Sequence, residues 1–181
     1  MIIKKFLHLL CFLCLSQILW AEQPLENKLN DEQIQNAVLV HINEYRAKHH
    51  LSPLTMDARL VQEAKNHSLD MAKHSIPFGH TYFNDRIKRL RTQIKSAGAG
   101  AENVAYNYKD ANEVVKNWLL SPGHKTNIDG HYNLTGVGIA RDERGKLYYT
   151  QIFMQTGASQ TKIVQGSLHP FVTLPFFGRK H

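Results

Sequence analysis

The sequence predicts an α+β domain in which helices pack on a sheet, and three observations support this fold class. Between residues 34 and 120, apolar side chains recur at intervals of three and four positions, as on amphipathic helices. The final third contains two runs of strand-forming residues around a turn, the pattern of an antiparallel hairpin. No segment of the chain repeats, so a single α+β unit is expected.

The first 21 residues resemble a secretory signal peptide. Lys4 and Lys5 precede the apolar run Phe6–Leu19, and the small residue Ala21 favours cleavage at the bond that follows it. The run is shorter than the roughly 20 apolar residues of a membrane span, although an uncleaved anchor is the alternative. Both cysteines lie in this segment, without the residues that precede a lipid-modified cysteine. We therefore expect a secreted or periplasmic protein with no transmembrane span after cleavage.

Cleavage leaves 160 residues without cysteine, enough for one domain that buries its own core. The full chain has 22 Lys and Arg against 15 Asp and Glu, and losing two lysines with the signal leaves a net charge of +5. Residues 86–91 and 179–181 carry much of this excess. They form either a surface for anionic lipid or wall polymer or a solvated basic face. No basic stripe with interleaved aromatic residues occurs, so we expect no nucleic-acid partner.

The predicted elements begin with a polar lead and a helix. Residues 22–33 are polar and indicate a flexible lead. Residues 34–51 follow with apolar positions at spacings of four, four and three, which predicts a helix. Asn30 or Asp31 can cap the first turn of that helix.

A second helix is predicted near residues 57–73. Its apolar face is formed by Leu60, Ala64 and Met71. His67 and His74 lie seven positions apart and are expected on the surface of this helix. A short basic helix around residues 85–91 comes next.

One strand, one helix and the hairpin complete the predicted domain. Residues 102–106 predict a short strand or strand-like turn, which follows a segment of small residues. Asp110 can cap a helix that ends at the Ser121-Pro122-Gly123 break. Residues 136–140 and 147–154 predict the two strands of the hairpin.

Three positions are candidates for chemistry: His80, Glu102 and His124. The first and second are 22 residues apart, and so are the second and third. Each lies where periodic structure breaks off, so its side chain is expected on a loop or at the end of an element. Binding and catalytic residues concentrate at such places.

Six short motifs lie along the chain, and three of them contain these positions. They are Asn43-Glu-Tyr-Arg46, His80 with Arg86 six residues later, Ala101-Glu-Asn-Val-Ala105, the Trp118 helix leading into Ser121-Pro-Gly-His124, Gly136-Val-Gly138, and Tyr148-Tyr-Thr-Gln-Ile-Phe153. In order and spacing they resemble the CAP superfamily in its bacterial form, the SCP-like extracellular domain of cysteine-rich secretory proteins. The resemblance covers residues 34–155 and implies a three-layer α-β-α sandwich with a central antiparallel sheet. Residues 156–181 then form a C-terminal extension, which either packs over the domain edge or offers a contact surface.

The resemblance also implies a cleft with two histidines and two acidic residues, which binds a divalent metal in some members. His80 matches the first histidine, and Glu102 matches the glutamate of the Glu-Asn motif. Ser121 stands where an acid is expected, and Tyr148 stands where the second histidine is expected. His124, in the bacterial Ser-Pro-Gly-His motif, is the candidate replacement.

Two imidazoles and a carboxylate are a suitable ligand set for Zn²⁺ or another divalent cation, with water as the fourth ligand. The same groups can act as acid and base without metal, because imidazole titrates near neutral pH. In a third interpretation Glu102 braces backbone amides and His124 caps a turn. The residues expected to support the cleft are Asn103, Ser121, Tyr148 and Gln151.

Two functions are open at this point. The resemblance favours a noncatalytic module that binds lipid, an envelope component or a partner protein through the His/Glu cleft. The alternative is a metal-assisted or His/Glu-dependent hydrolase of peptide or cell-wall bonds. The absent acid and second histidine count against a full catalytic set, and residues 22–181 contain neither cysteine nor a Gly-x-Ser-x-Gly elbow.

Overall fold

The structure is a computed structural model that describes residues 30–157, which form five helices and four strands. The helices are α1 (Asp31–Lys48), α2 (Ala58–Ala72), α3 (Phe83–Gln93), α4 (Ala111–Leu120) and α5 (Pro122–Asp129). The strands are β1 (Thr55–Met56), β2 (Ala97–Tyr106), β3 (Leu134–Arg141) and β4 (Leu147–Thr156). The predicted signal peptide, most of the predicted lead and nearly all of the C-terminal extension lie outside the described residues.

Side-chain caps fix where three of these helices begin. Asn30 accepts a hydrogen bond from the backbone N–H of Gln33 at 2.9 Å, and the Gln33 side chain accepts one from the Asn30 N–H at 2.8 Å. This reciprocal pair satisfies two donors at the start of α1. Asp57 and Asp110 cap α2 and α4 through their carboxylates. Residues 31–33, predicted as part of the lead, therefore form the first turn of α1.

The four strands form one sheet in the order β1-β3-β4-β2. The β3–β4 hairpin and the β2–β4 pair are antiparallel, as predicted. The short strand β1 was not predicted, and it pairs parallel to β3 through Thr55 with Leu134 and Met56 with Thr135. Two residues are too few to produce a readable alternation of polar and apolar positions.

The two faces of the sheet are covered by different helices, which gives the predicted three-layer α-β-α sandwich. On β4, Tyr149 and Phe153 pack into a core with α1, α4 and α5. The alternate residues Ile152 and Met154 pack against α2 and α3 on the opposite face. The alternation follows from the two-residue period of a strand. Along residues 30–157, no helix is both long enough and apolar enough to cross a membrane.

Helix α4 ends at Leu120, just before the Ser121-Pro122-Gly123 break, as predicted. Helix α5, which was not predicted, begins at Pro122 within that break. Proline suits that position because the first turn of a helix leaves its N–H groups unpaired and proline has none to lose. Helix α5 packs against β2 and brings Asn127 alongside that edge strand.

Candidate functional site

A buried ion pair on β2 is the centre of the candidate site. Glu102 points toward the α2/α3 layer, and only 1% of its side chain is exposed. Arg86 of α3 donates from Nε to Oε2 at 2.9 Å and from Nη2 to Oε1 at 2.8 Å. This is the two-pronged geometry in which a guanidinium matches a carboxylate best. Arg86, predicted as part of a basic surface helix, is buried.

His80 completes this arrangement at the surface. Its Nδ1 lies 3.0 Å from Oε1 of Glu102, and 52% of the side chain is exposed. An ionised carboxylate only accepts hydrogen bonds, so the contact requires the proton on Nδ1. The other ring nitrogen, Nε2, is then the atom that His80 can offer to a ligand.

The loop that carries His80 is anchored at three successive residues. The carbonyl of Gly79 lies 2.8 Å from Nε2 of His67, and the carbonyl of Thr81 accepts from Arg86 Nη1 at 2.7 Å. His80 itself is held by Glu102. Tyr82 then begins α3 in a left-handed conformation, with φ of 61°, which a residue with a side chain seldom adopts. The anchors hold the imidazole in one orientation before any ligand arrives.

Burial and neighbouring charge act in opposite directions on the two buried titratable groups. Burial pushes the pKa of Glu102 upward, but the hydrogen bonds from His80 and Arg86 together with the Arg86 charge hold it below its usual value. Burial is the main cause of the lowered pKa of His67, and the nearby Glu102 charge opposes it only in part. Glu102 is therefore ionised and His67 neutral at pH 7. Within residues 30–157, the Nδ1 atom of His67 is buried without a hydrogen-bond partner.

The structure brings the side chains of His80 and Glu102 into contact, whereas His124 lies near them without a hydrogen bond to either residue. His124 is half-buried at the start of α5, and no hydrogen bond within residues 30–157 joins it to either residue. Its backbone carbonyl accepts from the Asn103 side chain at 3.2 Å. Burial lowers the pKa of His124, and the charge of His80 lowers it further. His80 is therefore close enough to His124 for their charges to interact, without direct contact.

An open depression of about 350 Å³ surrounds His80. It is lined by His80, Phe83, Gly100, Ala101, Glu102, Asn127 and Tyr132. The Asn127 side chain is already bound to the Glu102 carbonyl at 3.1 Å and to Oδ1 of Asn103 at 2.8 Å. Only Nδ2 of Asn127 is engaged in these bonds, so His80, the aromatic rings and Oδ1 of Asn127 are the groups that remain available to a ligand.

The predicted metal set does not fit this arrangement as a preformed site. Both carboxylate oxygens of Glu102 are occupied by Arg86, and one of them also accepts from His80. A guanidinium so close to the carboxylate repels a cation and occupies an acceptor site on each oxygen. Across residues 30–157, no three His, Cys, Asp or Glu side chains stand close enough together to hold a metal ion.

Comparison with known proteins identifies the family. Residues 39–153 match CAP, the cysteine-rich secretory protein family, over more than half of the chain. The chain belongs to the CAP family. Two proteins of Bacillus subtilis (strain 168) are relatives of this CAP domain. They are the uncharacterized membrane protein YlbC, 34% identical over 127 residues, and the uncharacterized protein YkwD, 37% identical over 114 residues. The alignments cover 67% and 60% of this chain, but only 34% and 42% of those proteins.

Solved structures share the fold of this CAP domain. An outer surface protein of Borrelia burgdorferi superposes with a TM-score of 0.60 at 22% identity, covering 67% of this chain and 92% of that one. A cysteine-rich secretory protein of Staphylococcus aureus gives 0.59 at 23% identity, with coverage of 74% and 40%. An extracellular SCP-domain protein of Bacillus anthracis gives 0.54 at 27% identity, with coverage of 69% and 42%.

The four residues expected to support the cleft of this CAP domain have different roles. Asn103 connects β2 to α5, as described above. Gln151 is buried in the sheet and donates to Thr135 Oγ1 at 3.2 Å. Ser121 joins α4 to α5 through its backbone, and its side chain caps neither helix. Tyr148 pairs with Tyr106, roughly 13 Å along the sheet from the position opposite Glu102. Its ring contacts among residues 30–157 are with His74, Phe78 and Tyr106.

His67 and Arg86 are the site residues that the sequence interpretation missed. His67 was expected on the surface, but only 2% of it is exposed. The signal was present in the spacing, since positions 60, 64, 67 and 71 lie on one face of a helix. Arg86 was noted as part of the motif that begins at His80, but its place in a run of basic residues gave no sign that it has a buried acid opposite it.

Proposed function

We propose that this chain is a secreted or periplasmic CAP-domain binding module without catalytic activity. In this proposal residues 1–21 are removed as a signal peptide, residues 34–155 form the module and residues 156–181 extend it. The surface around His80 contacts lipid, an envelope component or a partner protein. The observation that carries the proposal is the double hydrogen bond between Arg86 and Glu102, because it commits both oxygens of Glu102 to a buried structural ion pair.

The geometry around His80 supports binding more than turnover. An anchored, half-exposed imidazole presents a single polar atom at fixed direction, and Phe83 and Tyr132 supply apolar surface next to it. Such a combination of few polar groups and aromatic surface is typical of binding sites. A carboxylate with a depressed pKa is a weak base, which makes Glu102 a poor partner for proton transfer near neutral pH.

Sedimentation assays test the binding proposal. Protein expressed from the full chain and purified is mixed with phosphatidylglycerol vesicles, isolated cell walls or an extract of surface proteins. We expect at least one of the three to retain it, and His80→Ala to weaken that retention about tenfold. His41→Ala, which alters an exposed histidine on α1, serves as the matched control. Retention that is equal in all three forms of the protein contradicts the proposed role of His80.

The His80–Glu102 contact is also a specific observation in favour of the hydrolase alternative. A carboxylate that fixes the Nδ1 proton leaves Nε2 oriented as a general base would be. Assays with casein and purified peptidoglycan, with and without added Zn²⁺, decide between the two functions. The proposal predicts no turnover above that of His80→Ala. Time-dependent cleavage that His80→Ala abolishes and His41→Ala preserves would establish the hydrolase.

A further inference from the structure

A second concave surface adjoins the His80 loop, and the residues of the candidate site do not line it. This aromatic groove, of about 980 Å³, lies between the end of α2, the end of β2 and the β3–β4 turn. Its aromatic residues are Phe78, Tyr106 and Tyr148. Tyr148 is buried, whereas Phe78 is 49% exposed and Tyr106 is 47% exposed.

The three rings form a continuous platform. Tyr106 stacks on Tyr148 with ring centroids 5.5 Å apart and an interplanar angle of 27°. Phe78 lies 5.1 Å from Tyr106 at 57°. Two neighbouring aromatic side chains that stay half in water leave considerable apolar area unburied, which is costly unless the surface meets a ligand. Sheet pairing fixes the backbones of Tyr106 and Tyr148 side by side, whereas Phe78 belongs to the loop between α2 and α3.

Charged residues of both signs surround the platform. Lys73, Arg144 and Lys146 are exposed on the groove, and none of them forms an ion pair with any residue from 30 to 157. Asp142 and Glu143 lie on the same rim. The excess of cations favours an anionic ligand. Oδ1 of Asp142 already accepts from the backbone N–H groups of Arg144 and Lys146, so Oδ2 of Asp142 and the Glu143 carboxylate are the oxygens that can accept hydrogen bonds from the ligand.

We propose that the aromatic groove binds an acidic glycan, a chain in which sugars carrying carboxylates alternate with uncharged sugars. A pyranose ring has an apolar C–H face that stacks on Phe78 and Tyr106, and its edge carries hydroxyl groups. Those hydroxyls donate to Asp142 and Glu143, while the glycan carboxylates pair with Lys73, Arg144 and Lys146.

The mixed rim favours a glycan over the other anionic polymers. A DNA backbone has no hydroxyl donors for Asp142 and Glu143, and a phosphodiester polymer that carries a charge on every unit is repelled by these two carboxylates. A lipid acyl chain requires an enclosed apolar channel, whereas this groove is open and lined by charged side chains. The inference rests on the proposed export of the chain, because such glycans are extracellular, but it does not require the His80 site.

Calorimetric titration of the purified protein tests the proposal. The probe is a hexasaccharide of alternating glucuronate and N-acetylglucosamine, compared with the uncharged N-acetylglucosamine hexamer, a thymidine hexanucleotide and phosphatidylglycerol vesicles. We expect saturable binding of the acidic hexasaccharide, weaker binding of the three comparison ligands, and loss of affinity as salt is raised. Phe78→Ala and Tyr106→Ala should each weaken binding about fivefold or more. Tyr106→Phe keeps the ring and the fold, and should bind within about twofold of the unaltered protein.

Matched controls separate this surface from non-specific attraction. Arg144→Ala and Lys146→Ala should weaken binding and its salt dependence, whereas Lys88→Ala and Tyr82→Ala, both at exposed positions outside the groove, should leave it unchanged. The proposal is overturned if the acidic hexasaccharide does not bind, or if Phe78→Ala and Tyr106→Ala both leave its affinity unchanged. It is also overturned if the hexanucleotide or the vesicles bind more tightly than the hexasaccharide. Export is measured separately by cell fractionation, so a protein that binds glycan but stays inside the cell would contradict the proposed function alone.

Discussion

At the scale of single residues, the buried pair of Arg86 and Glu102 determines what the site can do. The motifs singled out His80 and Glu102 as candidate site residues, and in the structure Nδ1 of His80 lies 3.0 Å from Oε1 of Glu102. The sequence could not reveal that Arg86 occupies the carboxylate, because that contact depends on how α3 docks beside β2. His67 was predicted to lie at the surface, because polar residues are exposed more often than not.

Removal of Arg86 should be strongly destabilising, because it leaves an ionised carboxylate buried with His80 as its remaining close partner. We expect Arg86→Ala to lower the free energy of unfolding by about 3 kcal/mol or more. Urea denaturation followed by circular dichroism measures the effect. Arg91→Ala is the control on the same helix, because Arg91 is exposed and binds one backbone carbonyl. A loss for Arg86→Ala no larger than that of the control would refute the structural role of the pair.

At the scale of elements, the longer helices and the hairpin were predictable and the short elements were not. The periodicities of α1, α2 and α4 extend over nearly three turns or more, which is enough to recognise them. Helix α5 is eight residues long and begins with the Pro-Gly pair that looks like a break. Its function in the fold is to bind the outer edge of β2, where Asn127 donates to the Glu102 carbonyl.

Close packing of α2 on β3 depends on two glycines of the hairpin. A Cβ atom at Gly138 would lie 2.1 Å from the backbone carbon of Ala64, and one at Gly136 would lie 2.2 Å from that of Leu60. Backbone cannot yield as a flexible side chain can, so α2 would have to move. We expect Gly138→Ala to cost about 3 kcal/mol of stability, as measured by thermal or urea unfolding.

Gly123 provides the matched control for that substitution. A Cβ there meets nothing within 4 Å, and Gly123 lies in the first turn of α5. Gly123→Ala should therefore be neutral or slightly stabilising. Equal stabilities for the two variants would mean that α2 does not lie against β3 as described.

At the scale of the whole molecule, the sandwich was predictable only through the resemblance. The residue patterns indicated helices and a hairpin, but they could not give the strand order or assign each helix to a face. The register of β2 against β4 is what separates Tyr148 from the His80 site. Motif positions along the chain do not show how far apart two residues lie along the sheet, so Tyr148 was predicted to support the cleft.

The pH dependence of global stability follows from the two histidines with lowered pKa values. The unfolded chain protonates histidine near its usual pKa of about 6.5, whereas His67 and His124 take up protons at lower pH when folded. Below about pH 6.5 the unfolded state therefore binds more protons than the folded state does, so the free energy of unfolding falls as the pH drops. Glu102 adds a further loss below its ordinary pKa, because its folded pKa is also lowered.

Urea unfolding at pH 7.5 and pH 5.0 measures this effect. The unaltered protein should be less stable at pH 5.0, and the double variant His67→Gln/His124→Gln should show a smaller difference between the two conditions. His41→Gln, at an exposed position, should behave as the unaltered protein does. An unchanged difference in the double variant would show that these two histidines are not the source of the acid sensitivity.

Direct titration of Glu102 tests the central claim most sharply, namely that this carboxylate is a fixed structural anion and not a catalytic group. Carboxyl-carbon NMR of protein labelled at the glutamate side chains follows the residue, and the signal lost in Glu102→Gln assigns it. We expect a titration midpoint below the ordinary glutamate value of about 4.3, with Glu102 ionised at every higher pH. A midpoint raised to about 6, as a general acid requires, would show that Glu102 is not a fixed anion and would favour the hydrolase.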